Sequence, residues 1–434
     1  MALSEQFTNL RLVAALPSRA SFGGHDFDFA TLGIETFRKL GVAVCTLDGD
    51  EWGHPSRRAD LVSRLRDFAP HFAIGVPNAG YGLQYTSADG ENLFADILSI
   101  PLVLPWDHLL TQAPGYYLGE YQYEYQPTAG MLARLAGRLG HPRYRHYSPD
   151  SAHVEIYEAL GLLGPGTVKL YQPSALTQFL EVAKAQTSET IQDRVAFAGN
   201  VYANVTLPFL QDPVLRELDD ALIRAKREYW DTSGWHLLCY LLEQVPETLR
   251  ERRGLSFDHR YFWHVASQLL SVRVSTAFRL EVLSAVRQPV DFYGNFASEG
   301  GGAALLGCEH ITYCGKADFI GDLPKLYSKY AIWIDATNAP FIRGCGAKVL
   351  DCFASGSMML VDYREDLRRE LGEIAERFMY RNADELRTKV TYFLARPKER
   401  TELVESIRTV IRDKLSWSHY CARVCADMQV ELMT

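Results

Sequence analysis

The chain has 434 residues, 47% of them hydrophobic and 23% charged, and a formal net charge of −8. That length exceeds one ordinary domain, the apolar content suits packed cores rather than disorder, and an acidic balance without a Lys/Arg cluster opposes general nucleic-acid binding. No run approaches the ~20 consecutive apolar residues that span a bilayer, and the N-terminal MALSEQFTNLRLVAAL lacks the basic-then-apolar layout of a secretory signal, so the expected location is cytoplasmic.

In chain order, the first third alternates between two periodicities. Arg11–Leu16 reads as a strand, Phe27–Gly41 as a helix with a glycine stop, and Val42–Asp48 as a second strand. Arg58–Phe68 is amphipathic with the helical period, Phe72–Pro77 is a third strand, and IPLVLPWD, ending at Asp107, is a fourth. Strands separated by single helices predict a parallel sheet covered on both faces, with ligands beyond the carboxyl ends of its strands. The loops at those ends are Pro17–Asp26, Asp48–His54, Pro77–Gln84 and Pro105–His108. One more strand, helix and strand run from Tyr144 to about Ala175, and Asp193–Val205 opens a second sheet with a strand ending at Gly199 and Asn200. From about Phe209 to Val286 the pattern is almost wholly helical; strands then return in VDFYGNF, ITYCGKAD, AIWIDAT and SMMLVD. The simplest description is α/β: two doubly wound domains, a helical insertion in the second, and a boundary near 175–190.

The stretch GCGAKVLDCFASGSMMLVD, Gly344–Asp362, carries the most chemistry. A helix from about Gly346 to Ser355 places Ala347, Leu350, Phe353 and Ala354 on one apolar stripe, Gly356 ends it, and a buried strand comes next. Its entrance holds Gly344, Gly346, Lys348 and Asp351, where unpaired N–H groups and a mobile cation suit phosphate and a carboxylate suits ribose hydroxyls. The same pattern fits a surface i,i+3 ion pair on a helix that needs glycine only for its turn, and the stretch alone leaves both readings open. The eight cysteines form no Cys-x-x-Cys pair and no histidine cluster stands at zinc spacing, so free thiols and no metal site are expected.

The second half resembles the CgeB-like (spore-protein-like) group 1 glycosyltransferases of GT-B fold. The resemblance covers Asp193–Gly199 and Phe278–Met428. It rests on DFYGN, ITYCGKADFIGDLPKLYSKYAIWIDAT, RGCGAKVLDCFASGSMMLVD and FMYRNADELRTKVTYFLARPKERTELVESIRTVIRDKLSWSHYCARV. It implies two Rossmann-like domains facing a cleft: residues 1–185 on the acceptor side, 186–415 binding the nucleotide sugar with the insertion at about 206–286, and a C-terminal helix, 416–434, packing back on the first domain. Carried over residue by residue, Lys348 falls near the donor phosphates and Asp351, in place of a glutamate, at the ribose. Tyr313, Gly315, Leu323 and Pro324 flank the nucleobase, while Gly199, Asn200 and Gly294 end strands that face the donor. The implied substrates are a UDP- or GDP-linked sugar and an acceptor that is a glycan, a protein or a small molecule.

Stabilisation of a departing diphosphate by helix N-termini, Arg343 and Lys348 needs no metal and no cofactor. An inverting transfer also needs a base, and the first domain's cleft loops offer His25 and Asp26 behind Gly23-Gly24, with Asp107 and His108 after the fourth strand. His25 is the first choice; a structural histidine, or an N-cap aspartate for the Phe27 helix, competes with each assignment. The glycines of Ser298–Gly307 fit a flexible loop, and the aromatic cluster Tyr116–Gln126 fits packing better than sugar stacking. A nucleotide-sugar epimerase and a catalytically silent scaffold are the competing functions on this fold.

Overall fold

Short apolar strands flanked by helices build two all-parallel six-stranded sheets. In the computed structural model the described residues are 7–16, 33–75, 83, 85–87, 90–106, 130–171, 175–176, 178–181, 192–202, 205–294 and 308–433. The first sheet contains β1 (Arg11–Ala15), β2 (Ala43–Leu47), β3 (Phe72–Gly75), β4 (Leu102–Pro105), β5 (Tyr144–Ser148) and β6 (Val168–Leu170), in the order β2-β1-β3-β4-β5-β6. The second contains β7 (Gln192–Ala198), β8 (Val290–Tyr293), β9 (Ile311–Tyr313), β10 (Tyr330–Asp335), β11 (Met358–Asp362) and β12 (Met379–Tyr380), in the order β12-β11-β10-β7-β8-β9. Strands β3, β4, β10 and β11 are buried at every position, which is why they read as unbroken apolar runs rather than as alternations.

The second sheet grows outward in both directions from neighbouring β7 and β10, so the connections from those two strands leave a crevice between their carboxyl ends. In the first sheet the corresponding divergence lies between β1 and β3. The two doubly wound sheets expected from the alternation, with a helical insertion in the second, are therefore the ones observed. Two details depart from the expectation. Strand β12 has only two residues, too few to show a period, and exists because it pairs with the end of β11. The helix expected from Gly346 begins at Lys348 and ends at Ala354.

The helices between β7 and β8 run over Pro213–Glu228, Gly234–Gln244, Glu247–Arg252 and Arg260–Gln268, the last continuing through a wide turn at Leu269–Val274 into Ser275–Ala285. Their starts follow from local chemistry: Asp212 accepts from the N–H groups of Val214 and Leu215 with Pro213 at the first helical position, and Ser233 accepts from His236. This insertion also reaches the first half. Leu215, Trp235 and Phe262 share one apolar core with Trp52, Tyr85 and Trp106. The Asp258 carboxylate accepts the N–H groups of Gly130 and Leu132 at 2.7 and 3.1 Å, which caps the helix Met131–Leu139 from outside its own segment. The final helix, Trp417–Met433, lies against the first sheet: Tyr147 donates to Asp427 at 2.6 Å, Lys169 pairs with Asp427 at 2.8 Å, and Arg145 donates to Glu431 at 2.7 Å. Among the described residues no helix is long and apolar enough to cross a membrane.

Candidate functional site

At the crevice between β7 and β10, one cation joins the two strand ends. Lys348 opens the helix Lys348–Ala354, and its ammonium donates to the carbonyl of Ala198 at 3.2 Å and pairs with the carboxylate of Asp335. Ala198 ends β7 and Asp335 ends β10. Asp335 is fully buried, whereas the Lys348 side chain keeps 23% of its exposure, so the cation is anchored from below and still meets solvent.

Further charges lie beneath it. Arg279, buried, donates to the carbonyl of Asn200 at 2.7 Å and to that of Ala336 at 3.4 Å; burial lowers its pKa, and Asp335 and Asp362 act the other way. Asp362, at the end of β11, pairs with Arg364 and accepts the Thr337 N–H at 2.8 Å. Burial alone would raise the Asp362 pKa, but Arg364 and Lys226 outweigh it and hold the carboxyl below its ordinary value. Lys226 comes from the insertion, donates to the carbonyls of Trp230 and Thr232, and lies 4.2 Å from the centre of the Phe278 ring; burial pulls its pKa down to about 7. Arg279, Arg364 and Lys226 are buried and each is engaged by a carbonyl or a carboxylate, whereas the Lys348 ammonium still meets solvent and could face an anion at the mouth.

The rim beside Lys348 is built by close backbone approach. Gly199 donates to the carbonyl of Tyr293 at 2.9 Å, and a Cβ on Gly294 would lie 1.8 Å from the Gly199 oxygen, so only glycine fits at position 294. Gly294 in turn donates to Gly315 at 2.9 Å, and Tyr313, with its ring at the surface, donates to the Gly294 carbonyl at 3.1 Å. Gly199, Asn200, Gly294, Tyr313, Gly315 and Lys348 therefore gather along the carboxyl ends of β7 to β10. Gly346 is half-exposed just before Lys348. Leu323 and Pro324 are buried at the start of the short helix Leu323–Tyr327, where they fill core rather than line this rim.

Three expected site residues have other work. Arg343 donates to Glu155 at 2.6 Å and pairs with Glu365 at 3.3 Å; these acids, Glu155 first, raise its pKa, and its charge is already matched. Gly344 donates its N–H to Asp150 at 3.0 Å, and a Cβ there would lie 2.6 Å from the carbonyl of Pro149, so its close approach is to the first half of the chain rather than to a ligand. Asp351 is fully buried: one carboxylate oxygen accepts the Leu176 N–H at 3.3 Å, and the other has no hydrogen-bond partner among the described residues. Burial raises its pKa well above the ordinary carboxyl value. Asp351 is not presented to a ribose, because the helix turns this face into the core. His25, Asp26, Asp107 and His108 lie outside the described residues.

The buried state of Asp351 has a measurable sign. A carboxyl whose folded pKa is raised binds more protons folded than unfolded above its ordinary value of 3.8, so its contribution to stability falls as pH rises through that interval. Asp351→Asn removes the titration. The variant should gain about 1 kcal/mol over the parent at pH 8, or about 2–4 °C in Tm, with the gain shrinking toward pH 4. Thermal unfolding across pH tests this; a loss of stability that grows with pH would restore a charged, exposed Asp351.

Sequence reasoning missed Asp335, Asp150 and Arg279. An aspartate closing the apolar strand AIWID was a readable signal for Asp335; Asp150 caps the helix Ser151–Ala159 through Ala152, a local role that gives no sign of its distant partners, and Arg279 lies inside a helix of ordinary composition.

Residues 280–426 match the family model described as glycosyl transferase-like. No curated protein matches the chain. Among solved structures, the chain is similar to HepE from Anabaena, determined in complex with UDP and glucose, at 10% identity over 97% of this chain and 100% of that one, with a TM-score of 0.50. A sucrose-phosphate synthase from Thermosynechococcus elongatus aligns at 12% identity over 98% of this chain and 99% of that one, with a TM-score of 0.49. Strands β8 to β12 and Lys348 lie within the matched residues, β7 precedes them, and the whole chain carries the two-sheet GT-B fold.

Proposed function

We propose that the chain is a glycosyltransferase that moves a sugar from a nucleoside diphosphate to an acceptor hydroxyl, with the diphosphate at the mouth between β7 and β10. The observation that carries this reading is Lys348, a half-exposed cation tied to both strand ends at the place where open α/β sheets bind ligands, inside the segment matched by the glycosyl transferase-like model. The order and spacing of DFYGN, ITYCGKAD, AIWIDAT and RGCGAKVLD support a CgeB-like member of that class. On this reading residues 1–185 serve the acceptor, residues 186–415 hold the donor, and Tyr313 with Gly294 and Gly315 borders the nucleobase.

Transfer requires charge stabilisation of the leaving diphosphate, which fixed cations supply without a metal. It also requires a base if the anomeric carbon inverts; His25, which follows β1 in the sequence, is the assignment. UDP is the first nucleotide to test, since HepE was solved with it. The full chain incubated with UDP- and GDP-sugars should release nucleoside diphosphate slowly without an acceptor, and as fast with EDTA as without. Binding of neither UDP nor GDP would end the proposal, and loss of release on chelation, restored by manganese or magnesium, would end its metal-free form.

A further inference from the structure

Among the places where the two halves of the chain meet is one buried carboxylate. Asp150 follows β5 and is fully buried. One of its oxygens accepts the Ala152 N–H at 3.0 Å and so caps the helix Ser151–Ala159; the other accepts the N–H groups of Ile342, Arg343 and Gly344 at 2.6, 3.1 and 3.0 Å. The neighbouring positions add to the grip. Ser151 donates its N–H and its hydroxyl to Asp366 at 2.8 and 2.7 Å, and His153 donates through Nε2 to the carbonyl of Pro340 at 3.0 Å.

Three successive N–H groups converging on one point form a concave anion site, and here the anion is internal. Without it three largely buried N–H dipoles would face one another with no acceptor, which favours opening of segment 342–344. That segment leads directly to Lys348 through Cys345, Gly346 and Ala347, and the Lys348 ammonium reaches Ala198 and Asp335 only when the helix begins where it does.

We propose that Asp150 is a positioning residue for the donor half: the first half of the chain uses it to set segment 342–344, and through it Lys348, at the mouth between β7 and β10. The inference rests on the nucleotide-sugar reading above. It means that a residue of the first half, between β5 and the helix it caps, governs donor affinity without being one of the residues at the mouth.

The test is a double-mutant cycle on the full chain, read by calorimetric titration with UDP. Asp150→Asn should weaken UDP binding about 10–100-fold, because a misplaced binding group loses roughly that much. In the Lys348→Ala background the same substitution should change UDP binding less than about two-fold, since its route of action is gone. Equal losses in both backgrounds would overturn the proposal, a pattern expected if Asp150 only stabilises the fold. Hydrogen exchange in the unmutated protein gives a readout that needs no variant: the amides of Ile342, Arg343 and Gly344 should exchange as slowly as those of β10, and fast exchange there would also overturn it. Failure of the unmutated protein to bind UDP or GDP would instead remove the nucleotide-sugar reading itself, and this inference with it.

Discussion

Lys348→Ala should be the most damaging single change at the crevice, because it removes a ligand contact and a structural one together. On the binding side, loss of a charge-assisted contact to the diphosphate should weaken UDP by about 1.5–3 kcal/mol. On the stability side, Asp335 is fully buried and would lose the ammonium paired with it. Breaking a buried pair by deleting one member destabilises by about 3–5 kcal/mol, and the lower end applies here because Arg279 also acts on Asp335. Adding Asp335→Asn to Lys348→Ala should recover part of the stability and none of the UDP affinity, which separates the two roles. Calorimetric UDP titration and chemical unfolding measure the two separately. Unchanged UDP affinity in a folded Lys348→Ala protein would remove Lys348 from the donor site.

Gly344→Ala should destabilise the chain by about 2–3 kcal/mol, although alanine is ordinarily the milder residue. The reason is contact rather than backbone conformation: the new methyl would lie 2.6 Å from the Pro149 carbonyl and 3.2 Å from the Asp150 Cα. Neither can retreat without breaking the bonds from Asp150 to Ile342, Arg343 and Gly344. Gly346, two residues on, is the internal control. Its nearest neighbour would be a Phe341 ring carbon at 3.9 Å, so Gly346→Ala should change stability by no more than about 0.5 kcal/mol. Urea unfolding of the two variants decides the matter. Equal effects would show that segment 342–344 does not press on the first half as described.

The elements were legible because each depends on its own segment. FAIGVP, AIWIDAT and SMMLVD announce covered strands by their apolar runs, and LRELDDALIRAKREYW announces a helix by its period; their alternation then leaves few topologies besides two doubly wound sheets. The place of the crevice is legible too, since parallel strands carry their ligand loops at their carboxyl ends and Lys348 opens the helix after such a loop. What the residues of that crevice do was decided by tertiary structure. Lys348 and Asp351 are three residues apart and so neighbours on one helix surface, but spacing reports only their angle about the axis, not what covers each side; packing against Leu176 closes over Asp351 and leaves Lys348 half-open. Arg343 and Gly344 looked free for phosphate because the groups that engage them, Glu155 and Asp150, lie 188 and 194 positions away in the chain. The cap that Asp258 supplies to the helix at Met131 spans 128 positions in the same way. Local periodicity encodes which residues must leave water; which distant carboxylate meets a given N–H group is set only when the two halves pack, because a hydrogen bond depends on distances of a few ångströms that no spacing along the chain records.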